Sequence, residues 1–535
     1  MHNILQTTIA LLLCCLTTVG TANAVTFDNQ TRYSQLVINA RLNDYYSNTS
    51  HVGFAVFDSN GTMTAAQPKQ QTTLDYVTGL VAKAVLEAVD YYKDSPTIDA
   101  RPWWYAVQDY ALNCDISSNG KNGKSFDDLN AVKVYSLLSQ LAASGTFPDG
   151  AAHTNAATIT TAATRFHDAL QGISKANSTY AIKASVNAKA AGGWWHKSQY
   201  DNQMWCDGQY MGPALLAQII NDYADYTPIT TSNSNSSNAN GNSGTGDWDL
   251  ITRQFDISWN YLWNTTDRLL YHAFSATPTA STSLCWASLP CSYDNTCSTN
   301  TAYWGRADAW YLLALVDVLQ QMDCAGLTSA DANYQSIQEK LQLLAEGIAA
   351  RQDATTGCWY QLLDEDASFS SNGTQNYLES SASAIFCAAF FKAMRLGYLP
   401  KKYLNNAFNA YRGIVTQFMV DDGNGGVHLI SSCRSAGLGG SSNRQGDKNY
   451  YLNGSDVTRT TAQMKQTEGK VLGAFILAAT EYERTVIDGG TGIESPLNKE
   501  AVPSTPGRTY NVSGQQVEST ARGLLLKQGK VVISK

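Results

Sequence analysis

Apolar positions recur at helical spacing along most of this chain. In Leu80-Val81-Ala82-Lys83-Ala84-Val85-Leu86-Glu87-Ala88-Val89 they form a near-continuous stripe that stops at Lys93-Asp94-Ser95-Pro96, where proline disfavours continuation. The same pattern returns at Trp310 to Met322, Tyr334 to Ile348, Ser380 to Met394 and Val471 to Tyr482. From about Thr73 to Arg484 such stretches alternate with Gly/Asn/Ser/Thr-rich connections, and almost nothing follows the period-two pattern of a strand. The expectation is an all-α domain of paired helices over residues 25–484.

Three segments break the pattern. Ile9 to Leu16 is apolar and is followed by Ala22-Asn23-Ala24, which reads as the core and exit of a cleavable signal peptide over residues 1–24, although the usual basic start is missing. Cys14 and Cys15 follow leucines rather than the small residues that precede a lipidated cysteine, and no later stretch is long and apolar enough to span a membrane. The expected product is exported and soluble, in a periplasm, at a cell surface or beyond it. Residues 226–248 shift to Ser/Asn/Thr/Gly and read as a surface insertion within the helical domain. After Arg484 a Gly/Pro/Ser/Thr linker, 485–507, leads to residues 508–535. There Gly523-Leu524-Leu525-Leu526 and Val531-Val532-Ile533 around Gln528-Gly529 predict a small β element with a hairpin. It resembles the C-terminal sorting or attachment tails of some exported enzymes, and a plain β cap fits it equally well.

Composition narrows the function. With 535 residues, 44% hydrophobic and 10% aromatic, the chain can bury one large core or two ordinary ones. A net charge of −8 with no dense Lys/Arg block gives no help in holding a nucleic acid or another long polyanion, while a small acidic ligand needs only one or two local cations. Eleven cysteines minus Cys14 and Cys15 leave an odd number in the mature chain, so at least one is a free thiol or pairs between chains. Cys285, Cys291 and Cys297 suit a disulfide better than zinc, since their spacing fits no common zinc pattern and no His lies among them.

The densest chemistry lies in Gly192 to Met211, where aromatics, His196 and two carboxylates precede the helix of Ala214-Leu215-Leu216-Ala217. Asp207 beside Trp205 is in a setting that favours a protonated carboxyl near neutral pH, whereas the helix N-terminus favours the anion, and a simple helix cap is the competing role. Asp127-Asp128 forms a second carboxylate pair ahead of another apolar helix. Arg306 and Trp310 stand four apart, on one helical face, where Arg can grip a carboxylate bidentately and Trp can stack on a sugar ring. His272, in Leu269-Leu270-Tyr271-His272-Ala273, is a further candidate beside an ordinary structural role.

Taken in order, these pieces resemble glycoside hydrolase family 105, the unsaturated rhamnogalacturonyl and glucuronyl hydrolases, with family 88 as a more distant relative. The likeness rests on G-G-W-W-H-K at Gly192 to Lys197, Q-M-W-C-D-G-Q-Y-M at Gln203 to Met211, Y-H-A at Tyr271 to Ala273 and W-G-R-A-D-A-W at Trp304 to Trp310. It extends to Q-D-A-T-T-G-C-W at Gln352 to Trp359, E-S-S-A-S-A at Glu379 to Ala384, G-L-G-G at Gly437 to Gly440 and Y-Y-L at Tyr450 to Leu452. It implies a six-hairpin (α/α)6 barrel with its pocket at one end, Asp207 as general acid and base, and Asp127 as the second carboxylate. His196, Trp205, Met211, His272, Arg306 and Trp310 would line the pocket, and no cofactor or metal is called for.

The implied activity is exo-removal of a 4,5-unsaturated uronic acid from the non-reducing end of short, lyase-generated acidic oligosaccharides, rhamnogalacturonan-type first. Cys206 and Gln209 stand where the family has apolar residues, and Ala307-Asp308-Ala309 replaces Gly-Asn-Gly. The Cys285 to Cys297 stretch lengthens a connection, so the neighbouring sugar is left open. An ordinary hydrolase of saturated glycosides on the same barrel, and a non-catalytic glycan-binding protein, are the two alternatives.

Overall fold

A computed structural model describes residues 24–46, 72–150, 153–229, 246–277, 298–421, 427–439, 444–458 and 467–489, the short stretch 289–290 with residue 293, and the strands of the C-terminal segment. Most of the signal segment, Cys285, Cys291, Cys297, the middle of the 226–248 insertion and most of the 485–507 linker lie outside the described residues.

Residues 1–483 form one compact unit and residues 484–535 another. In the first, helices alternate between an inner and an outer ring. The inner helices are Tyr76–Tyr92, Val134–Ser144, Pro213–Asp222, Gly305–Cys324, Ser380–Arg395 and Gly469–Tyr482, each packed on the next, with the last closing against the first. Tyr33–Tyr46, Arg101–Asn113, Asn155–Thr179, Asp247–Leu262, Ala332–Ala350 and Leu404–Phe418 pack outside them. This is an (α/α)6 barrel. The inner helices Gly305–Cys324, Ser380–Arg395 and Gly469–Tyr482 are buried around almost their whole circumference, which is why their sequences read as near-continuous apolar runs. The second unit carries an antiparallel sheet of Thr509–Asn511, Gln516–Val517, Gly523–Lys527 and Lys530–Ser534, the last two paired as a hairpin.

The polar insertion is shorter than composition suggests. Helix Asp247–Leu262 begins inside it, Trp248 is buried, and the Tyr226 hydroxyl donates to Asp247 (2.5 Å), so both ends of the segment belong to the packed domain.

Where the family resemblance leads to Asn, the inner helix carries Asp308. Its Oδ1 accepts the Leu270 N–H (3.0 Å), its Oδ2 has no partner among the described residues, and burial pushes the carboxyl well above the usual range. Both folded and unfolded chains hold this proton below about pH 4; above that only the unfolded chain releases it, so Asp308 drains stability as pH rises. Asp308→Asn is expected to stabilise the domain by at least about 1 kcal/mol at pH 7, with the gain vanishing near pH 4, in urea titrations at the two pH values. An equal effect at both would show that ionisation is not the cause.

Candidate active site

One end of the barrel opens into a cavity of about 180 Å³. Its walls include Asp127, His196, Trp205, Asp207, Met211, Arg306 and Trp310 from the sequence reading, together with Tyr76, Lys197, Tyr200, Trp304, Arg444, Asp456 and Lys470. His272 does not line the cavity; it stands fully buried behind Asp207.

A short strand pairing sets the position of Asp207. Gln203–Trp205 runs antiparallel to Ala273–Ser275, with Trp205 opposite Ala273, and the Cys206 N–H donates to the His272 carbonyl (2.8 Å). The chain then turns into the one-and-a-half-turn helix Cys206–Met211, whose N-cap, Trp205, offers no side-chain bond. Asp207 is therefore not a helix cap, and Gly212 separates its helix from the following one, which starts at Pro213. Instead its Oδ2 lies 3.0 Å from His272 Nε2. Gly208 lacks a side chain where a Cβ would come within 3.2 Å of His196 Nδ1, and that room lets the His196 ring lie flat against Trp205 (4.8 Å, 14°). Tyr200 stacks on the same indole (4.7 Å, 21°), so Trp205 already holds two rings. Trp310 stacks on Tyr210 (4.9 Å, 26°) while also facing the cavity.

The two carboxylates of Asp127-Asp128 separate into different jobs. Asp128 accepts from Ser117 Oγ (2.5 Å) and Ser125 Oγ (2.9 Å) and holds the loop. Asp127 faces the cavity, with Lys197 Nζ at 2.5 Å and His196 Nε2 at 3.4 Å. Burial alone would raise its proton affinity, but Lys197 and then His196 outweigh it and hold the carboxyl below the ordinary value. Asp127 is a fixed anion near neutral pH. Burial also lowers the proton affinity of His196, against the pull of Asp127.

Arg306 is fully buried, and most of its donors are committed. Nε donates to Ser381 Oγ (2.7 Å), Nη2 to the Cys433 carbonyl (2.5 Å) with Ser432 and Glu379 near it, and Nη1 to the Arg434 carbonyl (3.1 Å). A guanidinium has five N–H groups, so one on Nη1 is left over; the bidentate grip suggested by the sequence is not available. The Arg306 partner Glu379 caps helix Ser380–Arg395 and accepts the Cys433 N–H (2.9 Å), so Arg306 and Glu379 together suspend the segment Ser432–Gly437 that forms one cavity wall. Farther along that wall Arg444 lies 2.8 Å from Asp456 and 3.3 Å from the Tyr200 hydroxyl. Lys470 reaches the cavity from the last inner helix, 2.5 Å from Glu468.

Lys197 was within reach of sequence reading, as the residue after His196 in a segment already singled out. Tyr76, Arg444, Asp456 and Lys470 carried no local signal, since each enters from a segment whose own pattern is that of a helix end or a loop.

The model of Glycosyl Hydrolase Family 88 matches residues 55–486. The chain belongs to glycosyl hydrolase family 88. As a family 88 member it shares 31% identity over 186 residues with Protein Atu3128 of Agrobacterium fabrum and with the 24.9 kDa protein in picA locus of Rhizobium radiobacter, 34% of this chain and 71% of theirs. Among solved structures, a glycoside hydrolase from family 105 of C. acetobutylicum ATCC 824 superposes with a TM-score of 0.59 at 23% identity, covering 85% of this chain and 99% of that one. A possible family 105 member from Klebsiella pneumoniae gives 0.54 at 17%, covering 88% and 99%. At these identities the likeness establishes the shared barrel, and membership of family 88 makes the chain a glycoside hydrolase.

Proposed function

We propose that this family 88 hydrolase removes a 4,5-unsaturated uronic acid from the non-reducing end of short lyase-generated oligosaccharides, with rhamnogalacturonan fragments as the first class to examine. The observation that carries the reading is that Asp207 lines a cavity whose other carboxylates, Asp127 and Asp456, are each already ion-paired, with Lys197 and Arg444 respectively. A conventional pair needs one carboxyl to arrive protonated and the other to act as base or nucleophile. Asp127 and Asp456, each tied to a cation, would have to give up that partner to act as base or nucleophile, whereas Asp207 alone suffices as the acid for an enol ether.

The substrate end group has a C4=C5 double bond conjugated to its carboxylate and attached to the ring oxygen. Asp207 protonates C4, and positive charge develops on C5 and the ring oxygen. The Asp207 carboxylate then accepts a proton from the water that attacks C5, and the resulting hemiketal opens and releases the remaining chain. No bond from enzyme to sugar forms. The remaining N–H of Arg306, with Arg444 and Lys470, provides positive charge for the uronate carboxylate; Trp310 offers the stacking surface that Trp205, already carrying two rings, does not. Export from the cell, as the N-terminal segment suggests, would bring the enzyme to such fragments.

Lyase-digested pectins, arabinogalactans and glycosaminoglycans, each assayed beside its saturated counterpart, provide the test. Loss of the ultraviolet absorbance of the unsaturated uronate is expected, with no release from the saturated counterparts. Release from saturated chains at a comparable rate would favour the conventional hydrolase, and no turnover of any would leave a binding protein.

A further inference from the structure

Behind Asp207 lies a buried chain of side chains that the mechanism so far has not used. His272 Nδ1 is 2.8 Å from the Tyr451 hydroxyl, and Tyr451 Oη is 3.5 Å from Asn300 Nδ2. The orientation of the Asn300 amide is fixed by backbone: Oδ1 accepts the Ala273 N–H (3.2 Å), and Nδ2 donates to the carbonyls of Ala302 (2.7 Å) and Gly446 (3.2 Å). An amide nitrogen only donates, so the Tyr451 hydroxyl cannot give its proton to Asn300. Its only acceptor among the described residues is His272 Nδ1. A neutral imidazole that accepts at Nδ1 carries its hydrogen on Nε2.

That nitrogen meets Asp207. Nε2 and Oδ2 lie 3.0 Å apart, off the line of an ideal hydrogen bond, and neither has another partner among the described residues. Catalytic hydrogen bonds often align only when substrate is bound. Oδ2 is buried, so the exposed part of this side chain, which lines the cavity, includes Oδ1. Resting on the reading of Asp207 as the acid, we propose that Tyr451 is a positioning residue: it fixes the His272 Nε2–H tautomer, which occupies Asp207 Oδ2 as a donor and confines the transferable proton to Oδ1. A carboxyl whose proton could sit on either oxygen would spend part of its time with that proton aimed at the protein interior. Pinning Oδ2 as an acceptor removes that state, and the same N–H steadies the carboxylate that must next take a proton from water.

The variant Tyr451→Phe keeps the ring and removes the hydroxyl, freeing His272 to take the other tautomer. The expected result is a fall in kcat of about tenfold or more with KM within about threefold of wild type, because a wrong imidazole tautomer impairs proton transfer rather than binding. The alkaline limb of the kcat profile, where the acid has lost its proton, should also move to higher pH, because a carboxyl without its N–H donor holds its proton more firmly. His196, Asp127 with Lys197, and Cys206 face the same pair and are untouched by the substitution, so they do not move the limb. His272→Gln, whose amide can still donate toward Asp207, should retain more activity than His272→Ala.

The tautomer itself is read without substrate. In 15N-histidine-labelled protein, with His272 assigned from the spectrum of His272→Gln, wild type should show the Nε2–H pattern and Tyr451→Phe should lose it. A folded Tyr451→Phe with wild-type kcat and pH profile, or an Nδ1–H pattern in wild type, would overturn the proposal. Failure of wild type to consume unsaturated uronates would instead overturn the reading of function, and the NMR result would stand apart from it.

Discussion

Asp207→Asn is expected to lower kcat/KM on unsaturated uronides by about a thousandfold, within the range typical of a lost general acid and base. The amide matches the carboxyl in shape and keeps an acceptor for His272, so the fold should be retained. It has no proton to give to C4 and no basicity to take one from water, and Asp127 cannot substitute because Lys197 holds it as an anion. The loss should therefore appear in kcat, with KM little changed. Continuous ultraviolet recording of substrate consumption measures it, with circular dichroism as the control for folding. Activity within about tenfold of wild type, a barrier change of only about 1.4 kcal/mol, would remove Asp207 from the role.

Arg306→Met should have the largest effect on stability, a loss of about 3–5 kcal/mol. The substitution leaves Glu379 as a buried carboxylate that has lost its counter-charge, and it strips donors from the Cys433 and Arg434 carbonyls. Because Glu379 also caps helix Ser380–Arg395, the damage spreads from the wall of the cavity into the inner ring. The double variant Arg306→Met with Glu379→Gln removes the uncompensated charge and should recover at least about 1 kcal/mol relative to the single one. Urea midpoints of the two variants decide the matter. A single substitution costing less than about 1 kcal/mol would mean that the wall is held by other contacts.

The barrel was legible because its inner helices are apolar on nearly every side, a signal that survives in a single sequence. Helix Gly469–Tyr482, for example, was placed to within two residues from its periodicity. The strand pair that positions Asp207 was not legible. Gln203–Trp205 and Ala273–Ser275 have three residues each, too few to show alternation, and their partnership spans three intervening helices. Composition also hid the start of helix Asp247–Leu262, since its first turn follows directly on a polar tract. For the candidate site, residues clustered in one motif, such as His196, Trp205, Asp207 and Met211, could be read together. Arg444 and Lys470 could not, because only the closed ring brings their segments to the same opening. The Arg306 and Trp310 pair was correctly placed on one helical face, but how many guanidinium hydrogens remain for a ligand depends on carbonyls more than a hundred residues downstream.

Closure of the inner ring by its first and last helices governs how the protein can be made. Helix Tyr76–Tyr92 packs against Gly469–Tyr482, and the Ser34 N–H reaches Glu483 (2.9 Å) across nearly the full length of the domain. A ribosome therefore releases almost the entire domain before these partners can meet, and the apolar flank of the early helix waits uncovered through most of translation. Nascent chains that stop short of Gly469 lack both the helix that closes the ring and Lys470, so the cavity takes its full lining only once that helix has been made.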